Sequence, residues 1–66
     1  MIVIVNGETQ EITEGTTMQQ LLKLLQLEGK VMAAAVNMEI VKQNVWDQHV
    51  LNDGDKLELL DFVGGG

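Results

Sequence analysis

At 66 residues the chain reads as one domain, near the lower size limit for folding without covalent staples. It has no cysteine, which excludes disulfides, zinc–thiolate sites and thiol redox chemistry, so its 45 % hydrophobic content must supply the stability. Ten acidic against four basic side chains give a net charge of −6. That is the wrong sign for nucleic acid, whose affinity comes from neutralising phosphate, and for an anionic membrane surface.

Serine, arginine, tyrosine and proline are absent as well. The remaining candidate nucleophiles are threonines, lysines, carboxylates and His49. There is no arginine to clamp phosphate and no GxxxxGK[ST] loop. A catalyst needs a concave site with several converging polar groups, so a domain this short of them reads as something an enzyme acts upon, with no metal or cofactor of its own. No apolar run approaches the roughly 20 residues that span a bilayer. Met1 leads straight into Ile2–Val5 without a basic region, which is not how a signal peptide begins, and the expected location is the cytoplasm. The acidic residues are scattered, which suits solubility or steering toward a basic partner more than a discrete acidic site.

In chain order, Ile2 to Val5 is a β-branched apolar run, as expected of a central strand. Asn6-Gly7 predicts a type I′ hairpin turn, because both positions need positive φ. Glu8 to Thr13 reads as its polar edge partner, ended by Gly15. Thr17 and Gln20 form a capping box for a helix over Thr17 to Glu28. Met18, Leu21, Leu22 and Leu25 make its buried face, and Gly29 is the expected left-handed cap. Val31 to Val36 is a strand with three small alanines for close packing, Asn37-Met38-Glu39 a turn, and Ile40-Val41 a short strand. Lys42 to Val50 has no period and is read as a loop with one helical turn around Asn44 to Asp47. Asn52-Asp53-Gly54-Asp55 is a turn cluster, and Lys56 to Val63 is the last strand.

One helix against one mixed sheet is an α+β roll. A chain that returns from the helix to finish beside its first strand has the ubiquitin-like β-grasp topology, here with four to five strands and the two most apolar ones parallel at the centre. The expected division is a domain over 1–63 and a flexible glycine tail over 64–66. Gly64-Gly65-Gly66, following a strand, offers a carboxylate on an arm without Cβ atoms, able to enter a narrow channel roughly 10 Å deep. A frayed end is the plainer alternative. His49 has no partner that sequence can place beside it and reads as structural or solvated. Trp46 reads as a plug at the sheet edge, and Asp53 and Asp55 as turn chemistry. Asp61 suits a partner's basic group and a solvated face equally.

These residues resemble a known family. A β-grasp of this length with the Asn6-Gly7 turn, Val36-Asn37 before Ile40-Val41, Trp46 in the linking segment, Asp53-Gly54-Asp55 and a closing Phe62-Val63-Gly64-Gly65-Gly66 is similar to the ubiquitin-like sulfur carriers of bacteria, those of the ThiS family of thiamine biosynthesis above all. The resemblance implies that an E1-like activating enzyme, using ATP and Mg²⁺, adenylates the Gly66 carboxylate. A persulfide-derived sulfur then replaces AMP, and the resulting thiocarboxylate serves thiazole synthase. Gly64 and Gly65 would carry Gly66 into those active sites. Within the carrier class, molybdopterin or another sulfur metabolite is the alternative destination; outside it, a ubiquitin-like binding module with an inert tail.

Strand parity points to a docking surface for such an activating enzyme. With Leu57 and Leu59 turned to the helix, Leu60 and Phe62 fall on the open face of the sheet, joined by Ile4 and by Val63 beyond. The reverse parity would tuck Phe62 into the core. Phe62→Ala separates the two: it is expected to weaken partner binding while urea denaturation moves little, whereas a loss of about 3–5 kcal/mol of stability would mark Phe62 as a core aromatic.

Overall fold

A computed structural model describes residues 1–61, with the side chain of Asp61 outside the description. The elements are β1 (Ile2–Val5), β2 (Glu8–Glu11), α1 (Met18–Leu24), β3 (Val31–Val36), β4 (Glu39–Val41), a 3₁₀ turn (Gln43–Val45) and β5 (Lys56–Asp61). The strands form one five-stranded sheet in the order β2-β1-β5-β3-β4, in which β1 and β5 are parallel and the other neighbours antiparallel. The β-grasp expected from the sequence is therefore present, with the first and last strands side by side and β5 in the middle. The expectations that fall on Phe62, Val63, Gly64, Gly65 and Gly66 lie outside the described residues.

The core lies between α1 and one face of the sheet. Val3, Val5, Val31, Ala34, Val36, Val41, Leu57 and Leu59 come from the strands, Met18, Leu21 and Leu22 from the helix, and Ile12, Trp46 and Leu51 from the connections. Alternation along β5 buries Leu57 and Leu59 and exposes Lys56, Glu58 and Leu60. Leu60 is 55 % exposed. The parity expected of the last strand thus holds through Leu60.

The helix begins as predicted and ends earlier. All its free N-terminal amides find acceptors. Thr17 N–H donates to Gln20 Oε1 at 2.9 Å and Gln20 N–H to Thr17 Oγ1 at 3.2 Å. Met18 N–H donates to the His49 carbonyl at 2.9 Å and Gln19 N–H to the Trp46 carbonyl at 3.0 Å. The 46–49 segment is thereby stitched to the helix, which explains why a stretch without periodicity is ordered. At the other end, Gly29 is left-handed as expected, at φ 77°, but the residue that caps the helix is Gln26, at φ 61°. Leu27 N–H reaches the Leu22 carbonyl at 2.8 Å and Gln26 N–H the Lys23 carbonyl at 3.1 Å, the bond pair of a Schellman cap. Leu25 and Leu27, both half-buried, then pack against the core. The cap stops α1 at Leu24 instead of Glu28 because Leu27 gains more by folding back onto the core than by continuing the helix into solvent.

Three smaller boundaries also differ from expectation. β2 stops at Glu11, since Ile12 leaves the edge to enter the core. The second hairpin turn has two residues, Asn37 and Met38, at φ 51° and 72°, so Glu39 already belongs to β4. The short helical turn sits at Gln43–Val45, one residue ahead of its expected start.

A β-substituted residue held left-handed costs about 1–2 kcal/mol, part of which glycine returns through its freer unfolded chain. Gln26→Gly is expected to stabilise the domain by about 0.5–1 kcal/mol, read as a rise in Tm of about 2–8 °C. An unchanged or lower Tm would show that the Gln26 side chain contributes something beyond its backbone conformation.

Candidate functional site

The strand that leads toward Gly66 is held from both sides by the same chemistry. Each of its flanking strands ends in a two-residue turn whose first residue is asparagine, and each asparagine turns its amide onto the β5 backbone. Asn6 N–H donates to the Leu57 carbonyl at 2.9 Å. Its side chain accepts from Leu59 N–H at 2.8 Å and donates to the Leu59 carbonyl at 3.3 Å. The side-chain amide therefore imitates one more peptide unit of β1 where β1 itself has turned away. On the opposite edge, Asn37 N–H donates to the Lys56 carbonyl at 2.7 Å, and Asn37 Oδ1 accepts from Lys56 N–H at 3.0 Å.

The start of β5 is fixed by carboxylates. Asp55 is buried, its Oδ1 accepting from Asn37 Nδ2 at 2.9 Å and its Oδ2 from Asn52 N–H at 2.8 Å. Asp53 Oδ1 accepts from Ile2 N–H at 2.7 Å. Both residues do turn chemistry, as their sequence context indicated. Among the described residues, no group of three His, Cys, Asp or Glu side chains is placed to hold a metal, and no buried side-chain polar atom lacks a partner. A cleft of about 620 Å³ between β4 and the 42–52 segment is open to solvent, and the Asp55 carboxylate in its wall is already engaged. His49, half-buried, lines the same cleft. Trp46 is buried, with its indole N–H donating to the Val41 carbonyl of β4 at 2.8 Å, which is the edge plug expected of it.

The open face of the sheet is the other part of the site. Ile4 lies beside Lys56, Leu60 beside Ala33, Glu58 beside Ala35, and Ala35 beside Ile40. Ile4 is half-buried there and Leu60 exposed, so these two predicted docking residues share a face. Phe62 and Val63, predicted with them, and the tail Gly64, Gly65 and Gly66 are beyond the described residues. The sequence reading missed Ile40, 73 % exposed, and Met38, 91 % exposed. The alternation Glu39-Ile40-Val41 carried the signal for Ile40: with Val41 buried, its neighbour must point out. The asparagine clamps were also missed, since a turn residue's side chain is not assigned a cross-strand partner by local pattern alone.

Known proteins resemble this chain in sequence and in fold. Residues 3–66 match the family model described as the ThiS family. The chain is 32 % identical over 66 residues to the sulfur carrier protein ThiS of Escherichia coli, covering all of both chains. It is 37 % identical over 62 residues to that of Bacillus subtilis, covering 92 % of this chain and 94 % of the relative. It is also 38 % identical over 66 residues to a thiazole synthase of Paramagnetospirillum magneticum, of whose length it spans 20 %. The crystal structure of a thiamine biosynthesis protein, ThiS, from Geobacter metallireducens superimposes with a TM-score of 0.81 at 30 % identity, with 100 % of both chains covered.

Asn6→Ala removes both side-chain bonds to Leu59 and a residue suited to positive φ. The expected loss is about 1–3 kcal/mol in urea denaturation, with faster hydrogen exchange at the Leu59 amide. A loss under about 0.5 kcal/mol with Leu59 protection intact would show that the clamp does not hold the strand. A full-length match to sulfur carriers, a match to the family model from residue 3 onward and a shared β-grasp together establish that this chain belongs to the ThiS family, the sulfur carriers of thiamine biosynthesis, which act as protein cosubstrates and not as enzymes.

Proposed function

We propose that Gly66 is the sulfur-bearing residue and that the chain passes between two enzymes as an acyl carrier. The observation that carries this reading is the position of Gly64-Gly65-Gly66, whose Gly66 is five residues beyond the clamped central strand β5, in a chain whose family is that of sulfur carriers. From Asp61, the segment to Gly66 reaches roughly 17 Å when extended. The folded part, proposed as 1–63, stays outside the partner's active site while residues 64–66 enter it.

A free carboxylate resists substitution because oxide is a poor leaving group. An E1-like activating enzyme corrects this with ATP and Mg²⁺. The Gly66 carboxylate oxygen attacks the α-phosphorus, pyrophosphate departs, and the acyl carbon now bears AMP. A persulfide sulfur attacks that carbon and AMP leaves, giving an acyl disulfide. A second thiolate then takes up the donor's sulfur as a disulfide and releases Gly66 as a thiocarboxylate. This chain's part is an acyl terminus free of side-chain hindrance; phosphate and metal binding belong to the activating enzyme, consistent with a sequence that lacks arginine. Thiazole synthase takes the sulfur, a role supported by the thiazole synthase relative that contains a segment like this chain. The ATP requirement and the absence of cysteine both suit the cytoplasm. Leu60 and Ile4, with Phe62 and Val63, are the proposed contacts for docking.

Incubation with the activating enzyme, ATP and a sulfide source, followed by intact mass measurement, tests the proposal. The expected product has one oxygen replaced by sulfur at Gly66, and deletion of Gly65 and Gly66 abolishes it. No change in mass with an enzyme shown active on another member of the family would move the assignment to a binding module with an inert tail.

A further inference from the structure

We propose that Met38 is a specificity-determining contact for thiazole synthase, presented on a rigid turn at some cost in stability; this rests on the sulfur-carrier reading above. The two turns that clamp β5 are close counterparts. Asn6 and Asn37 both have positive φ, and each fixes its turn with three hydrogen bonds to the 55–59 segment. They differ at the second position. The first turn has Gly7 at φ 87°, where no strain arises, and the second has Met38 at φ 72°, where a side chain is disfavoured. Glycine would serve the turn better, so the methionine is not there for the fold.

Nor is it there for the core. Met38 is 91 % exposed, the highest value among the exposed large apolar side chains described, and Ile40 two residues on is 73 % exposed. An unbranched, polarizable side chain held out on an anchored turn is suited to filling a partner's apolar pocket. Beside it, a groove of about 420 Å³ runs between the two turns, walled by Ile4, Gly7, Asn37 and Met38 with Lys56 and Glu58. A knob next to a groove with one charge of each sign gives a partner both an apolar anchor and a polar register.

The reach of the tail limits what can cover this face. An enzyme that handles Gly66 must sit within roughly 17 Å of Asp61; the Asn37-Met38 turn bonds Lys56 at the other end of β5, five strand residues or roughly 17 Å back from Asp61, a span that a standard interface covers. Thiazole synthase is the occupant favoured here because relatives of that name, from Paramagnetospirillum magneticum and Magnetococcus marinus, each contain a segment like this chain as 20 % of their length. In them that segment belongs to the same chain as the rest of the protein.

Met38→Gly decides the matter, since its two effects run in opposite directions. By titration calorimetry of the full chain against thiazole synthase, affinity is expected to fall about tenfold or more, while Tm rises by a few degrees. Met38→Leu, which retains apolar bulk, is expected to keep affinity within about threefold. The rate of adenylation by the activating enzyme is expected to change less than about twofold in Met38→Gly, within the scatter of an uninvolved surface site. Wild-type chain that fails to bind thiazole synthase would overturn the assignment of thiazole synthase as the sulfur acceptor, on which this proposal rests. Wild-type binding with equal affinity for Met38→Gly would overturn the role of Met38 alone, as would a loss that appears in adenylation, or in self-association by sedimentation, instead of in thiazole synthase binding.

Discussion

The central position of β5 is the constraint on which the rest of the structure depends. It is the last strand to be made, yet it lies between β1 and β3, so neither hairpin can complete its pairing until the chain returns. Leu57 and Leu59 then complete the core beneath α1, and the two asparagine side chains close backbone bonds on β5 where β1 and β3 have turned away. A strand inserted this way cannot slip by one residue without exchanging Leu57 and Leu59 for Glu58 and Leu60 on the buried face. The anchor of the tail is therefore fixed in register, which is what a carrier needs if its terminus is to arrive at a set depth in a partner.

A small domain with one helix can cover only one face of its sheet, and this one also manages its edges. β2 is polar and charged, Glu8-Thr9-Gln10-Glu11, which discourages pairing with another chain. β4 has only three residues, and the Trp46 indole occupies its Val41 carbonyl. With both edges blunted, the uncovered face is left as the available surface, and its apolar members Ile4, Ile40 and Leu60 come from three different strands. Adding a partner's strand at an edge is disfavoured, and contact through the face is favoured.

Much of this was legible because local and global signals agree. The alternation in Lys56–Leu60, the Asn6-Gly7 dipeptide and the Thr17/Gln20 box each dictate one local geometry, and the fold uses each one. What was not legible depended on tertiary contacts. The helix stripe extends through Leu25, and Gly29 is the better cap by intrinsic preference. Only the burial of Leu27 against the core explains why the capping residue is Gln26. In the same way, the polar segment before Val50 shows no pattern because its task is to supply the Trp46 and His49 carbonyls to α1, and carbonyls are common to every residue. The open face was half legible: parity gave Leu60 and Ile4, while Ile40 waited on knowing where the turn before β4 ends.

The left-handed residues show how such a small fold divides its tolerance for strain. Gly7, Gly15, Gly29 and Gly54 take positive φ at no steric cost, and Asn6 and Asn37 offset theirs with side-chain hydrogen bonds. Gln26 is offset by the Schellman bonds and by burial of Leu27. Met38 has neither a glycine's freedom, nor a bonded side chain, nor a helix cap among the described contacts, and its side chain is 91 % exposed. A domain close to the lower size limit has little stability in reserve. Strain without local compensation points to a use outside the fold, and the least compensated residue here borders the groove lined by Ile4, Lys56 and Glu58.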